Sequence, residues 1–221
     1  MIIKTIFSDT IPALSKSDSA QRALYFMEFF KISSLPIVDN NLFMGMIKEE
    51  DILDADNSET ALSKFQFEKE NTIIYSDQHI YDAILQMNQH KLSLLAVLDR
   101  DDNYLGTISP TELIDTFSKL ASLEQIGSLL IIKMGVRDYV LSEIAQIAES
   151  NQVKILSSYV QTCPDQINLK LTLRLNTTDL TGFKAGLERY NYTIEAVFSE
   201  NQVIDEMYKN RLDELMHYLN I

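Results

Sequence analysis

LPIVDNNLFMGMIKEEDILD, residues 35–54, reads as a strand, a turn, a second strand and the first turns of a helix. Some 60 residues on, LLAVLDRDDNYLGTISPTELID, residues 94–115, reads the same way. Leu35 and Asp39 fall on Leu95 and Asp99. After a turn one residue longer in the second copy, Gly45, Ile47, Asp51, Leu53 and Asp54 meet Gly106, Ile108, Glu112, Ile114 and Asp115. The match extends upstream, where Ala20, Ala23, Leu24 and Met27 fall on Ile80, Ala83, Ile84 and Met87. Each set is an i, i+3, i+4, i+7 stripe preceded by a cap candidate, Ser17 or Asp77. Fixed-period self-similarity of this kind marks a repeated structural unit.

Each copy is therefore expected to run helix, strand, turn, strand, helix. The first takes residues 18–31, 34–39, 42–48 and 49–55, the second 77–90, 93–98, 103–109 and 110–120. A unit of about 50 residues is marginal alone, so the copies should share a core around a pseudo-two-fold axis. Ala23, Leu24, Ala83, Ile84 and Met87 are expected inside it. DADNSETALSKFQFEKEN, 54–71, is the polar connector.

The paired motifs resemble a tandem of cystathionine-β-synthase-type (CBS) domains over about residues 1–120. The family signature is an apolar–Pro–apolar–Val–Asp strand, a hairpin, then Gly–apolar–apolar–Ser/Thr–x–x–Asp leading into a helix. The resemblance implies an adenosine-containing ligand, of the AMP, ADP, ATP or S-adenosylmethionine class. It would set Ser109 and Glu112 on the ribose and Thr72, Ile74 and Leu95 near the base. Asp51, with Lys48 in place of the hydroxyl, marks the corresponding corner of the first copy. Ala96 stands at the family's proline position. The residue before the strand, basic in many phosphate-binding members, is Ser34 in one copy and Leu94 in the other.

GTISPTELID, 106–115, carries two readings at once. Ser109 before Pro110, with Glu112 three residues on, is a helix-capping box. A hydroxyl and a carboxylate one turn apart can also clasp a sugar diol, because a carboxylate accepts from two adjacent hydroxyls through charge-assisted bonds. The local pattern admits both.

After Leu120 the rhythm changes. GSLLIIKM (127–134), VKILSSYV (153–160), QINLKLTLRL (166–175) and YTIEAVF (192–198) read as strands. Leu141, Ile144, Ala145 and Ala148, then Leu180, Phe183, Leu187 and Tyr190, form two helical stripes. The order βαββαβ is ferredoxin-like. With VRDYVLSEI at the first helix it is similar to an ACT domain, a regulatory module that often binds amino acids at dimer interfaces. The glycine of that family's helix start is here Tyr139 and its proline Asp138. Ile204, Tyr208, Leu215 and Leu219 suggest a final amphipathic helix. The fold class is α+β. The domains expected are a CBS repeat at 1–58, a second at 59–122, an ACT-like ferredoxin-fold domain at 126–199 and a helix at 200–221.

A net charge of −13 disfavours nucleic acid and anionic membranes as partners. No apolar run reaches the roughly 20 residues of a membrane span, and no signal peptide is evident. Cys163 is alone, as expected for a reducing cytoplasm. His79, His90 and His217 are isolated, Asp101–Asp102 reads as a turn, and no P-loop, nucleophile elbow, dinucleotide fingerprint or metal-ligand spacing occurs. The expectation is a non-enzyme without cofactor or metal: a cytoplasmic homodimeric regulator of a target the sequence leaves unnamed. The alternatives are a ligand-independent interaction scaffold and an amino-acid sensor acting through the ACT-like domain.

Overall fold

The structure is a computed structural model that describes residues 1–54 and 60–199. The chain divides into two compact units, Met1–Phe117 and Ser118–Ile221. The expected helix at 200–221 lies outside the described residues.

In the first unit, the first repeat comprises α1 (Ala20–Phe30), β1 (Ser34–Asp39), β2 (Leu42–Lys48) and α2 (Glu49–Leu53). The second comprises β3 (Ile73–Tyr75), α3 (Ile80–His90), β4 (Leu95–Leu98), β5 (Tyr104–Ile108) and α4 (Pro110–Leu120). Both leading helices are capped two residues later than expected. The Ser19 hydroxyl accepts from the Arg22 amide, and His79 Nδ1 accepts from the Tyr81 amide. Ser17 and Asp77 instead bond Ser15 and Arg100. Both helices stop alike, with Lys31 (φ 56°) and Lys91 (φ 54°) left-handed and their amides returning to Met27 and Met87.

Ala23, Ala83 and Met87 are buried as expected. Leu24 is half-buried and Ile84 is exposed, because both occupy the i+4 edge of the stripe. One core combines Leu14, Met27, Leu35, Ile37 and Met46 of the first repeat with Leu94, Ala96 and Leu98 of the second. A second core lies under α3 and takes in Ile74, Ile80, Leu95, Val97 and Ile108 together with Ile3.

The repeats exchange their leading segments. Residues 3–8 lie on the second repeat: Ile3 bonds Gln78, Lys4 bonds Ser76, and Ser8 trades two backbone hydrogen bonds with Thr107 at 3.0 and 2.9 Å. Residues 60–68 lie on the first: the Ala20 amide bonds Thr60, the Leu62 amide bonds Asp18, and Glu68 trades two with Met46 at 2.7 and 2.9 Å. The pseudo-two-fold axis shows in two contacts between equivalent residues. Ser33 Oγ donates to Ser93 Oγ at 3.0 Å, and the rings of Phe43 and Tyr104 stack with centroids 6.4 Å apart.

The second unit holds β6 (Ser128–Gly135), α5 (Leu141–Ser150), β7 (Ile155–Thr162), β8 (Asn168–Leu175), α6 (Thr181–Arg189) and β9 (Thr193–Ser199). Its antiparallel sheet, ordered β7-β8-β6-β9, is the ferredoxin-like arrangement. Ile144, Ile147 and Ala148 of α5 and Phe183 and Leu187 of α6 cover its core. Leu141, Ala145 and Tyr190, expected on the inner stripes, are exposed, since each sits at or beyond the stripe's margin.

Gly45 shows why the exchange constrains sequence. Its φ is +135°, and a Cβ there would lie 2.6 Å from Phe67 Cβ on the incoming segment. Gly45→Ala is therefore expected to cost about 1–3 kcal/mol, through left-handed strain and lost approach. Urea unfolding measures it, and an unchanged midpoint would contradict the exchange as the reason for this glycine.

Candidate ligand site of the repeat pair

The second-repeat corner forms where β5 ends and α4 begins. Glu112 Oε2 accepts from the Ser109 amide at 2.7 Å and from its hydroxyl at 3.0 Å, while Ser109 Oγ accepts from the Glu112 amide at 3.3 Å. The capping box expected from the sequence is present. It occupies Oε2 alone, and a carboxylate offers about four lone-pair positions over two oxygens. Both residues are half-buried, and among the described residues no hydrogen bond reaches Oε1.

The first-repeat corner is built differently. Lys48 precedes α2 without capping it, and its Nζ lies 2.5 Å from Glu68 Oε2 and 3.7 Å from Glu50 Oε1. The hydrogen bond to Glu68 raises the Lys48 pKa above its ordinary 10.5, against the opposing effect of burial. The pair's contribution is full below that value and is lost as pH rises through the folded one. With both side chains more than a third exposed, solvent screening keeps it small. Asp51 is exposed on α2.

Beside this corner lies a cleft of about 450 Å³ lined by Lys48, Glu49, Glu50, Glu68, Ser33 and Ser93, among others. Of the site residues expected from sequence, the cleft includes only Lys48. Thr72 is buried, its hydroxyl donating to the Glu68 and Lys69 carbonyls. Ile74 and Leu95 are fully buried among Ile80, Ala83 and Leu113, so their side chains serve the core under α3.

Three buried side-chain oxygens among the described residues have no hydrogen-bond partner: those of Ser8, Tyr104 and Thr107. Each such oxygen costs about 1–3 kcal/mol. All three belong to the β5 corner. Burial, with the nearby Asp9 charge, pushes the Tyr104 phenol well above its ordinary 10.0. The sequence held a signal for two of them. In the internal alignment Tyr104 and Thr107 stand opposite the apolar Phe43 and Met46.

A family model described as CBS domain matches residues 3–58 and again 68–119. The N-terminal half of this chain is a pair of CBS domains. An uncharacterised protein of Methanocaldococcus jannaschii is 29% identical over 87 residues, which span 39% of this chain and 29% of that protein. A solved CBS domain pair/ACT domain protein of Thermotoga maritima is 19% identical. That likeness covers 54% of this chain and 98% of that one, at a TM-score of 0.48. CBSX2, solved in complex with AMP, is 16% identical over 53% of this chain and 96% of that one, at 0.46.

In the ferredoxin-like domain, Tyr139 packs against the core. Lys133, Arg137, Asp138, Glu143 and Tyr192 border a hollow there. Tyr192 donates to Glu143 Oε2 at 2.5 Å, and burial followed by that bond pushes its phenol up to about 12.

The two CBS corners should differ in what they give the fold. Glu112→Ala, which opens a closed cap, is expected to lose about 0.5–2 kcal/mol in urea unfolding. Lys48→Met, which removes half of an exposed pair, should lose about 0–1 kcal/mol. Equal losses, or a larger one at Lys48, would contradict these roles.

Proposed function

We propose that this protein is a regulatory sensor whose CBS pair binds an adenosine-containing small molecule, with the ribose held by Ser109 and Glu112. The observation that carries the reading is the half-used carboxylate. Glu112 is fixed by the cap through Oε2, in a family whose members hold ribose at this corner, and Oε1 can accept from a sugar hydroxyl. Cap and clasp are thus compatible roles of one side chain. Asp51 and Lys48 form the weaker corner, because the Lys48 ammonium is already committed to Glu68. Thr72, Ile74 and Leu95 contribute to the base position through their backbone and their place in the sheet. We extend the proposal to a homodimer, the commonest closed assembly, with the ferredoxin-like unit as an ACT-like dimerisation or second sensing domain. The exposed stacked rings of Tyr25 and Phe29 on α1 support self-association.

A scaffold reading has its own support, since both corners are internally bonded. The test is a thermal-shift panel of adenosine, AMP, ATP, S-adenosylmethionine and amino acids, followed by calorimetry. An adenosine compound at 100 times its dissociation constant should add about 2.7 kcal/mol of stability. Glu112→Ala should bind it about tenfold more weakly. Silence across the panel would establish the scaffold, and a response to amino acids alone would move the sensing site to the ferredoxin-like domain.

A further inference from the structure

The three partnerless oxygens share one face. Thr107 pairs with Ala96 and Tyr104 with Leu98 across the β4–β5 ladder, and the bulge between Val97 and Leu98 keeps both on one side. Ala96 and Leu98 belong to the core shared by the two repeats, so this side faces the first repeat. Ser8 lies directly opposite Thr107 in an antiparallel bridge with both backbone hydrogen bonds made, which puts their side chains on the same face. Ser109 lies two residues beyond Thr107, just past the end of β5. The step is about 6.6 Å, comparable with the reach from a nucleoside's sugar to its base.

The first repeat has nothing equivalent. Where the second has Thr107, Tyr104 and Ser8, the first has Met46 and Phe43, both in the core, and Glu68, bound to Lys48. Thr107 is fully buried. A hydroxyl both donates and accepts, so two side by side match a heterocycle edge that offers one donor and one acceptor. Residues 9–13 make no backbone hydrogen bond to the described residues between the bridges at Ser8 and Leu14, and only Ile11 among them is buried in the shared core.

Resting on the nucleoside reading above, we propose that Thr107 and Ser8 read the polar edge of the base through their hydroxyls, and that the chain binds one such molecule, at the second repeat only. The ligand class is then a nucleoside whose base carries an adjacent donor and acceptor, as adenine does. Admitting it requires segment 9–13 to lift and Ile11 to leave the shared core. Tyr104, beside them, keeps its phenol protonated and supplies a third donor.

The experiment is calorimetry on the full chain with adenosine and with purine riboside, which lacks the exocyclic amine. Wild type should bind one adenosine per chain and prefer it to purine riboside by about tenfold, the worth of a hydrogen bond or two. Of Thr107→Val and Ser8→Ala, the variant that removes the hydroxyl accepting from the amine should lose that preference, and the one that removes the hydroxyl donating to the ring nitrogen, which purine riboside keeps, should weaken both nucleosides. Glu112→Ala should weaken both nucleosides alike. Thr107→Val keeps the side-chain volume and should melt no lower than wild type. If wild type binds adenosine and both hydroxyl variants keep the preference, the base-reading inference is overturned and the ribose clasp stands. A lower melting temperature in Thr107→Val with unchanged preference would overturn it too, by showing an internal partner such as a bridging water. Two adenosines per chain would overturn the single site. No binding of either nucleoside to wild type would overturn clasp and base reading together.

Discussion

The reciprocal stitch between the two repeats is the constraint from which the rest of the CBS pair follows. Ser8, from the head of the chain, bonds Thr107 of the second repeat, and Glu68, from the connector, bonds Met46 of the first. Four backbone hydrogen bonds, two at each end, make the halves interdependent. Neither half retains its edge partner without the other. The stitch demands glycine beside each bridge: a Cβ on Gly45 would meet Phe67, and one on Gly106 would meet the Ser8 carbonyl, each at 2.6 Å. It also delivers Glu68 to Lys48 and Ser8 to Thr107, which makes the two corners unlike.

That unlikeness is chemical more than architectural. The two repeats agree in their helix ends, their axis contacts and their exchanged segments. They differ in where polarity is placed. The first repeat satisfies its polar groups at the surface through Lys48, Glu50 and Glu68, and keeps Met46 and Phe43 inside. The second seals its corner with a cap and leaves three oxygens buried without partners. A core shaped by stability alone would favour Val and Phe at positions 107 and 104, since burying a hydroxyl without a bond is costly. Keeping polar groups there is consistent with a ligand that uses them.

Much of the fold was readable from residues 35–54 and 94–115, because two in-register copies remove the ambiguity that one strand–turn–strand pattern leaves. The alignment of Gly45 with Gly106 was visible, but its cause was not. The approaching backbone comes from a segment remote in sequence, and no local pattern encodes it. The caps were misplaced by two residues because Ser17, Ser19, Asp77 and His79 all offer acceptors, and only the first helical residue decides among them. Ile84 and Tyr190 matched the helical period yet lie at the edge of their stripes, where exposure depends on how far the facing sheet extends. The capping box of Ser109 and Glu112 was readable from spacing. The unpartnered oxygens of Thr107, Ser8 and Tyr104 were not, because a hydroxyl in a strand looks ordinary until its missing partner is seen.

The central claim is that one corner of a two-fold pair, the second, is the binding corner. Amide chemical shifts followed by NMR during an adenosine titration of the full chain test it most directly. Changes are expected in residues 8–14 and 106–113, with Lys48, Glu50 and Asp51 unmoved. Changes centred on Lys48 to Asp51, or of equal size at both corners, would contradict it.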